Sequence, residues 1–189
     1  AADLLTNRAR LTPDREAVYD FDTNIRYTYK QLNERVNRAA NFLTSLGIQK
    51  GDRVSFYAHN NIAYLDVLYA VGKIGAVISP LNWRLTVSEL VYITNNADPK
   101  AIFVGPEWAG QFNELRVETN IPNIIALEGA TIKDALKYDE ELAKSSPLEP
   151  ERPLDLSSED TYCLMYTSGT TGRPKGAMIP HRQVMWNVI

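Results

Sequence analysis

Apolar positions recur at helical spacing in several stretches and gather into short runs between them. Leu32, Val36, Ala39, Ala40 and Leu43 fall on one face of a 3.6-residue repeat and predict a half-buried helix. Thr28-Tyr29-Lys30-Gln31 supplies its start, a hydroxyl followed three residues later by an amide, and Gly47 supplies its stop. Thr86-Val87-Ser88-Glu89 predicts a second capped start, with Leu85 and Leu90 spaced to form a hydrophobic staple. A helix over 62–74 is predicted to bury Leu65, Leu68 and Tyr69. Thr131-Ile132-Lys133-Asp134 predicts a further helix that ends near Leu142.

Between these helices lie short apolar or aromatic runs at 16–21, 54–58, 76–79, 101–104, 124–127 and 161–166, all predicted strands. Near-continuous apolar strands alternating with helices predict an α/β fold, a largely parallel sheet with flanking helices. No repeat at a fixed period is present. Residues 145–160 differ: Pro147, Pro150, Pro153 and many carboxylates predict an internal linker or loop. From Thr161 onward the charge inverts, with Arg173, Lys175 and Arg182 but no Asp or Glu, a local field that favours an anion. After Pro180 a new helix is predicted, and its uncapped apolar finish at Ile189 leads us to expect a longer protein.

Composition narrows the functional classes. The chain has 189 residues, 44% hydrophobic and 23% charged, the balance of a globular protein. A net charge of -3 disfavours a generic nucleic-acid binder. One cysteine, Cys163, forbids an internal disulfide, and with only His59 and His181 beside it a Cys/His zinc site is excluded. We therefore expect a reducing, cytoplasmic setting. The first residues lack the charged and apolar regions of a secretory signal, and no apolar run reaches the length of a membrane span. Cys163 is expected to be a buried small hydrophobe, His181 to cap or pack, His59 to belong to a helix start, and the tryptophans to core or interface.

The chemical signal is Tyr166-Thr167-Ser168-Gly169-Thr170-Thr171-Gly172-Arg173-Pro174-Lys175-Gly176. Gly169 and Gly172 allow close backbone approach, and successive N–H groups can converge on an anion. Thr167, Ser168, Thr170 and Thr171 add hydroxyls, and Lys175 adds a compact charge. The set suits a polyphosphate, with a hydroxyl able to ligate a hard cation. It is not a Walker A loop: Pro174 stands where the second Gly belongs, and Gly176 follows the lysine in place of Ser or Thr. The glycine intervals also fail the dinucleotide fingerprint.

This segment, continuing through Ala177 to Arg182, resembles the phosphate-loop signature of the adenylate-forming superfamily, which includes acyl-CoA synthetases and the adenylation domains of peptide synthetases. Other segments resemble the same family in order: Leu11-Thr12-Pro13-Asp14, Tyr27-Thr28-Tyr29, Gly51-Asp52-Arg53-Val54, Gly72 to Val77, and Leu81-Asn82-Trp83-Arg84-Leu85-Thr86. The last is most similar to fatty-acyl and related acyl-CoA ligases. The resemblance implies that residues 1–189 are the N-terminal part of the large AMP-binding domain, with the C-terminal domain absent. It implies a carboxylic acid, ATP and coenzyme A as small-molecule substrates, with acyl-AMP as intermediate and a thioester as product. Thr167, Ser168, Gly169, Thr170, Thr171, Gly172 and Lys175 would hold the ATP phosphates, and Thr170 would approach Mg²⁺. Catalytic residues are expected beyond Ile189, so the isolated chain is expected to be inactive. No transmembrane segment and no nucleic-acid partner are expected, and a homodimer stays open. Two alternatives also stay open: a non-catalytic interaction module, and another superfamily member such as a peptide-synthetase adenylation domain.

Overall fold

The computed structural model describes residues 3–21, 23–167 and 173–186. Helix α1 (Leu4–Leu11) precedes an antiparallel hairpin of β1 (Glu16–Asp20) and β2 (Ile25–Thr28). Then follow α2 (Tyr29–Ser45), β3 (Arg53–Tyr57), α3 (Ile62–Ile74), β4 (Val77–Pro80), α4 (Val87–Ala97) and β5 (Ala101–Val104). A single 3₁₀ turn, Pro106–Trp108, leads into α5 (Ala109–Leu115). The chain continues through β6 (Asn123–Ala126), β7 (Leu136–Lys137), α6 (Tyr138–Lys144), β8 (Thr161–Thr167), β9 (Lys175–Pro180) and α7 (His181–Trp186).

The main sheet runs β7-β6-β5-β3-β4-β8-β9, every adjacent pair parallel except the β8–β9 hairpin. The predicted α/β architecture is therefore present. Its central strands β3, β4 and β5 are largely apolar because both of their faces are covered. Val54, Phe56 and Ile78 face a core completed by α2, α3 and α6. Tyr57, Ile102 and Val104 face a second core completed by α4 and α5. The parallel strands β3 to β8 end at one carboxyl edge, where an open α/β sheet receives ligands.

Local chemistry sets the helix starts. Thr28 and Gln31 cap α2 reciprocally, and Thr86 and Glu89 do the same for α4. Asn61 accepts the Tyr64 N–H at the start of α3.

Two expectations need correction. The helix expected from Thr131 begins only at Tyr138. Asp134 sits at φ 61, a left-handed conformation that breaks the helical path, and the intervening residues form β7. The fully buried residues of α3 are Ala63, Asp66, Val67, Ala70, Val71, Lys73 and Ile74, while Leu68 and Tyr69 are partly buried and pack against the same core and Leu65 is half-buried.

Residues 145–160 contain no helix or strand, yet they are tied down at several points. The Asn37 amide donates to the Pro147 carbonyl at 3.0 Å, and Asn41 donates to the carbonyls of Ser146 and Leu148 at 2.8 and 2.9 Å. The buried Lys73 ammonium lies 2.7 Å from Glu149 and 3.1 Å from Asp3. Lys50 reaches Asp155 and Asp160, each at 2.9 Å. This strap crosses α2 and α3 and delivers the chain to β8.

Candidate functional site

The glycine- and hydroxyl-rich segment connects β8 to β9. Thr167 is the last residue of β8 and Lys175 the first of β9, and the two are registered partners across the antiparallel ladder. Ser168, Gly169, Thr170, Thr171 and Gly172 lie outside the described residues. β8 runs parallel to β4, so Thr167 and Lys175 stand at the carboxyl edge of the sheet, both exposed. The sequence places a hydroxyl and an ammonium in one segment. The fold brings them opposite each other at the mouth of the loop.

Two contacts tie this mouth to α4 and its surroundings. The Tyr166 hydroxyl donates to Asn96 Oδ1 at 2.6 Å, and the Arg173 guanidinium lies 5.4 Å from the centre of the Tyr92 ring. Of the cations in this part of the chain, Arg182 is committed to Glu159 at 2.8 Å and Arg173 to the aromatic face. Lys175 has no carboxylate partner among the described residues, so its charge is available to an anion. The donor set of hydroxyl and ammonium, with no Asp or Glu from Thr161 onward, fits a polyphosphate. Among the described residues, no group of three or more His, Cys, Asp or Glu side chains could hold a metal ion. Any hydroxyl ligation by Thr170 falls outside them.

The supporting residues are inert. Burial pushes the Cys163 thiol up to about 11, the environment of a packing residue and not of a nucleophile. His181 is buried against Tyr162, with ring centroids 4.9 Å apart, and burial lowers its pKa below the usual histidine range. Both side chains pack, as the sequence suggests.

An aromatic cluster at the same edge escaped the sequence reading. Trp83 and Trp108 stack with centroids 5.2 Å apart and planes 24° apart, and the exposed His59 meets Trp83 edge-on at 4.7 Å. Arg84 caps Trp83 at 3.9 Å. These residues follow the carboxyl ends of β3, β4 and β5. A cavity of about 310 Å³, lined by Asn60, Tyr64, Trp83, Met165 and Tyr166 among others, opens between them and β8. The available signal was positional, an aromatic or histidine just past each strand end. Only the parallel order of the sheet turns that into a cluster.

Comparison with known proteins converges on one family. A family model described as AMP-binding enzyme matches residues 5–189. The long-chain-fatty-acid–CoA ligase FadD13 of Mycobacterium tuberculosis is 34% identical over 184 residues, covering 96% of this chain and 35% of the relative. Feruloyl-CoA synthase of an Amycolatopsis species is 38% identical over 182 residues, covering 96% and 33% respectively. The structure of the N-terminal domain of FACL13 from Mycobacterium tuberculosis superposes with a TM-score of 0.85 at 32% identity, covering 96% of this chain and 44% of that one. The chain thus spans about a third of the length of the curated relatives it matches.

Proposed function

Because the chain belongs to the AMP-binding enzyme family, we propose that it is the N-terminal, phosphate-holding part of a longer ATP-dependent acid–thiol ligase. The proposed reaction joins a carboxylic acid, a fatty acid in our reading, to coenzyme A. The acid's carboxylate displaces pyrophosphate at the α-phosphorus of ATP, and the thiol then displaces AMP. One observation carries this reading beyond family membership: Thr167 and Lys175 face each other at the carboxyl edge of a parallel sheet, with no carboxylate nearby in sequence.

In this reading the hydroxyls and backbone N–H groups of residues 167–172 and the Lys175 ammonium hold the β- and γ-phosphates. Thr170 is the hydroxyl offered to Mg²⁺, which would supply charge neutralisation on the phosphates. In-line displacement at phosphorus needs mainly positioning and charge stabilisation, which hydroxyl and N–H donors carried between two paired strands would provide. The proposed setting is the cytoplasm; no helix among the described residues is long and apolar enough to cross a membrane.

Acid-dependent exchange of labelled pyrophosphate into ATP tests the proposal. Exchange that requires a fatty acid is the expected result, and exchange indifferent to the acid contradicts it. A second reading, a non-catalytic docking module, draws on the outer position of β9 and the 70% exposure of Met178. Acid-dependent exchange by the full-length protein would exclude it.

A further inference from the structure

The geometry points to Lys50 and Asp160 as positioning residues that set the direction of the β8–β9 hairpin from its root. For its consequence in catalysis, this inference rests on the reading of residues 167–175 as the triphosphate loop.

Both arms of the hairpin start from one knot. Thr161 and Pro180 are registered partners at the end opposite the loop. Asp160, immediately before β8, accepts the His181 N–H on its carbonyl at 3.0 Å, so the residue entering the hairpin holds the residue leaving it. The Ser158 carbonyl accepts the Arg182 N–H at 2.9 Å. The Asp160 carboxylate accepts the Ser157 N–H at 2.7 Å and meets the Lys50 ammonium at 2.9 Å. Lys50 also bonds the carbonyl and the carboxylate of Asp155, both at 2.9 Å.

Lys50 in turn is fixed to the centre of the sheet. It lies in the turn before β3, where the Gly51 N–H donates to the Gly75 carbonyl at 2.9 Å. Its stem crosses Gly75, which has φ +74, and a Cβ there would come within 3.1 Å of both Lys50 Cγ and Leu156 Cδ1. The lysine therefore joins the root of the hairpin to the foot of β3 and β4.

The registered ladder between the hairpin and the sheet is short, so the strand ends share in fixing the hairpin's direction. Among the described residues β8 meets β4 in one registered pair, Ile78 with Cys163, whereas β3 meets β4 along four, from Arg53 with Val77 to Phe56 with Pro80. A strand of this length spans about 20 Å, so a rotation of about 5° at the root moves the far end by about 2 Å. A misplacement of about 1 Å at a reacting group can cost about a hundredfold in rate. The root, although far from the loop, thus governs where Thr167 and Lys175 stand.

Three variants test this. Lys50→Met keeps the stem over Gly75 and removes both carboxylate contacts, Asp160→Asn removes the charge from the other side, and Lys50→Arg restores a cation. Hydrogen exchange is measured in the 189-residue chain, and pyrophosphate exchange in the full-length ligase proposed above. Amides of 163–166 and 176–179 are expected to exchange about threefold to tenfold faster in Lys50→Met and Asp160→Asn, with β5 and β6 unchanged and Lys50→Arg close to the parent. The KM for MgATP is expected to rise in the same two variants while the KM for the acid stays fixed. Parent-like hairpin exchange in both variants overturns the inference, as does equal acceleration in β5 and β6. Faster hairpin exchange with an unmoved KM for MgATP supports the root while overturning the phosphate reading.

Discussion

Thr167 and Lys175 are the final partners of the β8–β9 ladder, so a hydroxyl and an ammonium bracket the mouth of the same loop. If the loop holds a triphosphate, Lys175 makes a charge-assisted contact worth about 1.5–3 kcal/mol. Lys175→Ala is therefore expected to lower kcat/KM for MgATP roughly tenfold to hundredfold. Thr167→Val removes a neutral donor and is expected to cost less. Steady-state kinetics of pyrophosphate exchange in the full-length protein checks both, and an unchanged Lys175→Ala variant would remove the lysine from the site.

Lys73 is nearly fully buried and holds α1 and the strap together through Asp3 and Glu149. Lys73→Met is expected to destabilise the chain by about 2 kcal/mol, since it leaves Glu149 without its cation and Asp3 with Arg152 alone, at 2.6 Å. Trypsin should then cut the strap near Arg152 earlier than in the parent.

The same clamp has a pH signature. Burial raises the Asp3 pKa, but hydrogen bonds from Thr6 and the Lys73 charge outweigh it and hold the carboxyl below 3.8. Glu149 is likewise held below 4.5: burial opposes this, and Lys73 and Asn33 prevail. Groups with lowered folded pKa values stabilise fully above their unfolded values and lose that contribution as pH falls through the folded ones. The gap in melting temperature between the parent and Lys73→Met should therefore be widest near neutrality and narrow below pH 4. A gap that is constant across that range would contradict the clamp.

Gly72 lies in α3 against the Tyr162 ring, where an added Cβ would come 2.8 Å from Cε2. The ring cannot easily retreat, because its hydroxyl donates to the Leu68 carbonyl at 2.7 Å and the residue is buried. Gly72→Ala gains about 1 kcal/mol of helix propensity and loses about 1–3 kcal/mol to overpacking. Net destabilisation by thermal denaturation is the expected sign. Cys163, whose thiol is pushed up to about 11, should react with a disulfide reagent at pH 8 far more slowly than in the unfolded chain.

What the sequence revealed depended on the range of the interaction. The caps at Thr28 and Thr86 were legible because donor and acceptor lie three residues apart. The Thr131 start was misread because its spacing resembles a cap, while the left-handed Asp134 turns the chain away. The linker composition of 145–160 was visible, but its anchors were not, since Asn33 and Glu149 are separated by 116 positions. The glycine- and hydroxyl-rich segment carried its chemistry in consecutive residues. The placement of its two ends, Thr167 and Lys175, at the carboxyl edge depended on the strand order.

In the proposed function, the segment between β8 and β9 holds the nucleotide's phosphate tail. A crystal structure of the full-length protein with a non-hydrolysable ATP analogue tests it most directly. The account predicts β- or γ-phosphate oxygens within about 2.7–3.2 Å of Lys175 Nζ and of backbone N–H groups in residues 168–172. Phosphates bound elsewhere, with Lys175 still facing solvent, would contradict it.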